Sequence, residues 1–305
     1  MLKNINKYLP FILLVFIIGS LWGCSQVRDE DILADEIVAD EAVSEDKLTV
    51  AVSIVPQEAF VKAVAGDLVE VVTMVPPGSS PANYEPAPKE MEGLSKSQIY
   101  FSIGVPTEQA NILPGLKDLN EDIKIVSLAE EAAKIHPDRE LAPGKRDPHI
   151  WLSPKRAKVM VETIYNELAA LDHENQDIYQ QNAREYLAQL DELDQKLKES
   201  ADNLTSKAFI VYHPAFGYFA DDYGLTMIAL EEDGKEATAQ RLQEVIDMAK
   251  EENIKVIFYQ KEIDSKQSEA LAEELGGRTE QVAPLSPDYI GNLEKFAATL
   301  KAVME

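Results

Sequence analysis

The chain is poor in the side chains that usually do covalent chemistry. It holds one cysteine, four histidines and two tryptophans in 305 residues. A lone cysteine excludes an intramolecular disulfide, so a fold outside the cytoplasm must rest on its core. Cationic residues are scarce: 29 Lys and Arg stand against 54 Asp and Glu, a formal charge of −25. That balance repels a nucleic-acid backbone and welcomes cations. No GxSxG, HExxH, phosphate loop or dinucleotide-binding glycine pattern occurs. Carboxylates are many, but nothing singles out an acid–base pair. The sequence therefore reads as a binding protein and not an enzyme.

Long hydrophobic runs are also lacking, with one exception. Residues 9–23 read LPFILLVFIIGSLWG, without a charge, behind Lys3 and Lys7. The run falls short of the roughly 20 apolar residues of a membrane span and suits a signal-peptide core. It ends in LWGC, and Cys24 stands where a lipobox places its cysteine. The resemblance implies a lipoprotein signal peptide (1–23), cleavage before Cys24 and a lipid on its sulfur. That would anchor the chain to the outer face of the cell membrane. Loss of Lys3 and Lys7 takes the charge to −27. Residues 24–47 then form an acidic tether with a loose beat, DEDIL, ADEIV, ADEAV. Like charges this dense resist packing and read as a solvated spacer, or as a loose collector of cations.

From Leu48 onward short β-branched runs alternate with amphipathic stretches. LTVAV, VEVVTMV, QIYFSIG and IKIVSL predict strands in the first half. AFIVYH, LTMIAL, IKVIFYQ and RTEQVAPL repeat the pattern in the second. Such alternation predicts an α/β fold with mainly parallel sheets. Between the halves, no glycine or proline interrupts residues 155–201, and apolar residues recur at 3–4 spacing. This predicts one long uninterrupted helix, a rigid strut between two Rossmann-like lobes. The expected boundaries are an N-terminal lobe at 48–153, a linking helical region at 154–204 and a C-terminal lobe at 205–305. Asp264 and Gln267 have capping-box spacing for a helix reaching Leu275.

Two histidines lie where ligands bind in open α/β sheets, beyond the carboxyl ends of strands or in the loops there. His213 ends AFIVYH and is followed by Pro214; His149 sits in the stiff frame DPHIWLSP. Neutral imidazole is a common ligand of zinc and related metals, and flanking prolines lower the cost of fixing it. Packing or a hydrogen bond is the alternative for each. His136 and His173 lie among charged loop residues and receive no role.

SIVPQEAFVKAVAGD, GSSPANYEPAP, DPHIWLSP, VYHPAFGYFADDYGL and VIFYQKEIDSKQSEALAEELGG together resemble the zinc- and manganese-binding lipoproteins of ABC importers, the TroA-like cluster A-I family. The resemblance runs from about Leu48 to the C-terminus. It implies two α/β lobes joined by one rigid helix, with the metal in the cleft between them. It matches His149 and His213 to two of the family's four ligands. The other two positions hold Ala82, in PANYEP, and Ala283, in VAPLSP. A family glutamate falls on Gln260. With half the usual shell absent, Glu85 and Asn83 become substitute ligands from the first loop, with Tyr84, Asp288 and the acids of EEDGKE (residues 231–236) beside them. The implied function is a monomeric solute-binding lipoprotein that delivers Zn2+, alternatively Mn2+, to an ABC permease with its ATPase. The alternatives are a small non-metal solute on the same scaffold, or an adhesin or accessory lipoprotein.

Overall fold

The structure, a computed structural model, describes residues 47–231, 235–263 and 266–304. The signal segment, Cys24, nearly all of the acidic tether and Asp264 lie outside the described residues.

The first sheet grows from β1 (Leu48–Ile54), whose last five residues are buried. Such a run is covered on both faces, the signature of a parallel central strand. β1 pairs in parallel with β2 (Val69–Val75) and β3 (Ile99–Ser102), and β3 with β4 (Lys124–Ser127), giving the order β2-β1-β3-β4. α1 (Val55–Ala65) leaves β1 directly. The Gln57 side chain reaches back to accept from the backbone of Ser53 and Ile54 at 3.0 and 3.1 Å, satisfying donors that a helix start leaves open. Gly66, at φ 56°, ends α1 in a conformation that favours glycine. α2 (Pro88–Lys96), α3 (Leu113–Leu119) and α4 (Leu128–Ala133) complete this lobe, followed by a small antiparallel hairpin of β5 (Glu140–Ala142) and β6 (Lys145–Arg146).

The expected strut is not uninterrupted. α5 (Pro154–Leu171) begins with the Ser153 hydroxyl accepting from the Arg156 backbone at 3.3 Å, and it stops at Asp172. A short 3-10 turn at His173–Asn175 separates it from α6 (Gln176–Asp202). Neither glycine nor proline makes this break. Asp172 does, accepting from the backbone and side chain of Asn175 at 3.3 and 2.8 Å and from the Tyr179 hydroxyl at 2.6 Å. Side-chain oxygens of Asp and Asn compete with helical bonding in this way. α6 folds back along α5 and packs against both α1 and the last helix, α10 (Tyr289–Met304). The long helix between the lobes is therefore α6.

The second sheet repeats the parallel plan with β7 (Ala208–Val211), β8 (Thr226–Ala229), β9 (Val256–Gln260) and β10 (Arg278–Val282) in the order β10-β9-β7-β8. α7 (Gly217–Asp222), α8 (Ala239–Glu251) and α9 (Lys266–Glu274) connect its strands. The Asp264–Gln267 capping box expected here lies outside the described residues on its Asp264 side; the Gln267 amide pairs with both backbone groups of Ala237, at 3.0 and 3.1 Å. Phe296 of α10 stacks on Phe216 with centroids 4.1 Å apart, and Phe209, Phe219 and Phe258 meet its edges or face at 5.1–5.9 Å. Aromatic contacts of this kind are worth about 0.5–1.5 kcal/mol each beyond area burial. They fix the turn from β7 into α7, the turn that carries His213. A continuous apolar core runs from the first sheet through α5 and α6 to the inner face of the second.

Candidate metal centre

The two singled-out histidines meet. Their Nε2 atoms lie 3.0 Å apart, with ring planes inclined at 78°. His149 comes from the first lobe, just before a buried 3-10 turn at Ile150–Leu152 that leads into α5. His213 comes from the second, two residues past β7.

Each ring is held from behind. His149 Nδ1 lies 2.7 Å from Asp147 Oδ1, which also accepts from the His149 backbone at 3.0 Å. His213 Nδ1 lies 2.8 Å from Glu231 Oε2. With Nδ1–H donated to a carboxylate, each ring turns an Nε2 lone pair inward. Two lone pairs at this distance repel unless a cation stands between them. Metal–nitrogen bonds of about 2.0–2.1 Å at a tetrahedral angle place two nitrogens roughly 3.3 Å apart. The observed 3.0 Å is within a small side-chain adjustment of that spacing.

Electrostatics favour the ligating form of His149. Burial pushes its imidazole below the ordinary histidine range, toward neutrality, and the bond to Asp147 pulls the other way without overcoming it. Burial by itself would raise Asp147, which has no exposed surface. The hydrogen bonds from His149, with the Arg139 guanidinium behind them, outweigh that and hold its carboxyl below the usual range. Arg139 Nη1 donates to Asp147 Oδ2 at 3.0 Å.

The stiffness of DPHIWLSP has a structural cause beyond its prolines. Trp151 donates from Nε1 to the Pro284 carbonyl across the lobes at 2.8 Å. The Tyr218 hydroxyl of α7 donates to the Asp147 carbonyl at 3.1 Å and accepts from the Arg139 backbone at 3.0 Å. Ser153 Oγ and Arg156 Nη1 both donate to Asp222 at the end of α7, at 2.5 and 3.3 Å. His149 is thus fixed relative to the second lobe as well as its own.

The remaining sequence candidates are placed differently. Ala82 and Asn83 lie in an exposed turn, and Glu85 follows it, also exposed. The Tyr84 carbonyl pins this loop by accepting from Thr107 Oγ1 and Asn111 Nδ2 at 3.1 and 2.9 Å. Asp288 is engaged at the start of α10, accepting from the Gly291 backbone at 3.1 Å. Ala283 follows β10, its carbonyl accepting from Ser286 and Asn292 at 3.1 and 2.9 Å. Among the described residues no third His, Cys, Asp or Glu joins the imidazoles in a group able to hold a metal ion. Of EEDGKE, Glu231 backs His213, and residues 232–234 lie outside the described residues. The part played by Asp147 was not singled out from the sequence; its place two residues before His149 is the signal that could have found it.

A model of the family described as zinc-uptake complex component A, periplasmic (ZnuA), matches residues 50–303. The high-affinity zinc uptake system protein ZnuA of Bacillus subtilis is 30% identical over 247 residues, covering 77% of each chain. The zinc-binding lipoprotein AdcA of Streptococcus pneumoniae is 28% identical over 280 residues, and the match spans 85% of this chain but only 56% of AdcA. A crystal structure of ZnuA superposes with a TM-score of 0.80 at 38% identity, covering 85% of this chain and all of that one. The periplasmic zinc-binding protein TroA of Treponema pallidum, at 23% identity and a TM-score of 0.76 over 85% of this chain and 99% of its own, shares the fold. Fold, facing imidazoles and a family match over almost all of the described residues agree: the chain belongs to the ZnuA family of zinc-uptake components, which are solute-binding parts of transport systems and not enzymes.

Proposed function

We propose that the protein captures Zn2+ between His149 and His213 and delivers it to the permease of an ABC importer. The observation that carries this is the pair of Nε2 atoms 3.0 Å apart, each ring backed by a carboxylate through Nδ1. Carboxylate–histidine pairs orient metal-binding rings and raise their basicity. The names of the relatives, zinc uptake and zinc-binding proteins, support zinc over manganese as cargo. Imidazole is also the better match to zinc, whereas carboxylate, carbonyl and water suit manganese. The shell beyond the two rings is open to water. A lipid on Cys24 and the acidic segment behind it would hold the receptor near its permease as a monomer. Among the described residues no helix is long and apolar enough to cross a membrane.

Calorimetric titration of the metal-stripped protein tests this. Zinc should bind one to one and more tightly than manganese, and a His149→Ala/His213→Ala double variant should lose the site. Failure of the wild type to bind zinc, or equal binding by the double variant, would overturn the reading.

A further inference from the structure

We infer that the side-chain amide of Gln260 is a third protein group of this centre, its carbonyl oxygen binding the captured ion beside His149 and His213. The inference rests on the zinc-capture reading and deepens it.

Its ground is the arrangement of side chains across the second sheet. Successive residues of a strand point to opposite faces. Phe209 and Val211 of β7, Val256 and Phe258 of β9, and Val282 of β10 belong to the core between the lobes, with Met227 and Ala229 of β8 packed against it. Ile210 and Tyr212, Ile257 and Tyr259, Ile228 and Leu230 pack on the opposite face. Continuing the alternation sets His213, Gln260 and Glu231 on the face toward the other lobe.

The strand register gives their order along the rim. Val211 lies opposite both Phe258 and Ala229, and Val282 opposite Gln260. The backbone bonds from Tyr212 to Phe258 at 2.8 Å and from Glu231 to Tyr212 at 2.9 Å carry the pairing past the strand end. Two residues beyond Val211, His213 therefore stands between Glu231 and Gln260. The Glu231 side of this row is realised in its 2.8 Å bond to His213. Gln260 is the other neighbour. It is 6% exposed, and its Nε2 is buried without a hydrogen-bond partner.

A buried amide end left unpaired is uncommon, because nothing replaces the water it gave up. Here it lies next to a histidine whose Nε2 faces a site for a cation. Rotation about the last side-chain bond exchanges oxygen for nitrogen, two atoms alike in shape. In that orientation Gln260 presents a neutral oxygen donor to the space before His213. Two imidazoles, this oxygen and one water make the four-coordinate shell zinc prefers. No third His, Cys, Asp or Glu among the described residues competes for the place.

The test compares the wild type with Gln260→Leu, which keeps the bulk and removes the donor, and Gln260→Glu, which keeps an oxygen and adds charge. Zinc affinity is measured by competition with a chelating dye, and the visible bands of bound Co2+ report the ligand set. Gln260→Leu should weaken zinc at least tenfold and move the cobalt bands. Gln260→Glu should bind zinc at least as tightly as the wild type, with cobalt bands of its own. Wild-type binding together with a Gln260→Leu variant of unchanged affinity would overturn the Gln260 assignment alone. So would weaker zinc binding with unmoved cobalt bands, which would make the residue a packing element. No zinc binding by the wild type would overturn the capture reading itself.

Discussion

Asp147 and Glu231 hold the two proposed ligands, His149 and His213, from behind. Each carboxylate fixes one imidazole tautomer, and without it the ring can rotate or protonate at the wrong nitrogen. Removing such a partner typically costs about 10–100-fold in metal affinity. Asp147→Asn and Glu231→Gln keep size and one acceptor but lose the charge. Each is expected to weaken zinc by about tenfold or more in a competition assay, while the melting temperature without metal changes little for Glu231→Gln. An Asp147→Asn variant with wild-type affinity would show that the ring is held by its surroundings and not by its partner. The two histidines were legible in the sequence because they are rare and sit in proline-framed segments. Glu231 enters from the sequence only as one of the acids of EEDGKE, a candidate ligand; its place behind the His213 ring is seen once the strand register sets it there. Gln260 is visible in the sequence only as the place of a family glutamate; that its amide is buried and unpartnered at a strand end is seen in the structure alone.

At the scale of the element, strands were easier to read than helix ends. β1 and β2 announce themselves as β-branched runs covered by helices, and the structure has them at 48–54 and 69–75. The break in the helical region from 154 is hidden in the sequence because neither glycine nor proline marks it. Asp172 and Asn175 do the work instead, with a hydroxyl from Tyr179. Those bonds hold the Asp172 carboxyl low against the opposing effect of its partial burial, the largest single influence on it. A depressed carboxylate contributes stability that is present in full above its unfolded value of about 3.9 and is lost as pH falls through the folded value. Asp172→Ala should therefore lower the unfolding free energy by about 1 kcal/mol at neutral pH, the usual worth of a helix cap. The difference from the wild type should shrink as pH drops below about 4. Urea titrations at neutral and acid pH measure both, and a difference independent of pH would mean that packing, not the carboxylate, is what the variant removes.

Over the whole molecule, the polar bonds around DPHIWLSP link the lobes at the side where His149 and His213 face each other. Asp222 is the centre of that hold, since the Ser153 hydroxyl and the Arg156 guanidinium both end on it. Arg156 also donates to the Pro137 carbonyl at 2.8 Å and lies over the Tyr218 ring, 4.5 Å from its centroid. Asp222→Ala leaves a nearly buried guanidinium without its carboxylate, a loss of about 1.5–3 kcal/mol for a bond to a charged group. If the lobes are held closed by these bonds, the variant spends more time open, and the two imidazoles, on different lobes, spend less time facing each other. Apparent zinc affinity then falls in proportion to the closed fraction, although no ligand has been touched. The same linkage runs in reverse: saturating zinc draws the variant back to the closed form. Small-angle scattering should accordingly find a wild type whose radius barely changes with zinc, and an Asp222→Ala variant that is larger without zinc and returns to the wild-type radius with it. An Asp222→Ala protein of unchanged radius and affinity would place the stiffness in α6 and the shared apolar core alone, and the bonds at Asp222 would then contribute to stability without governing access to the metal.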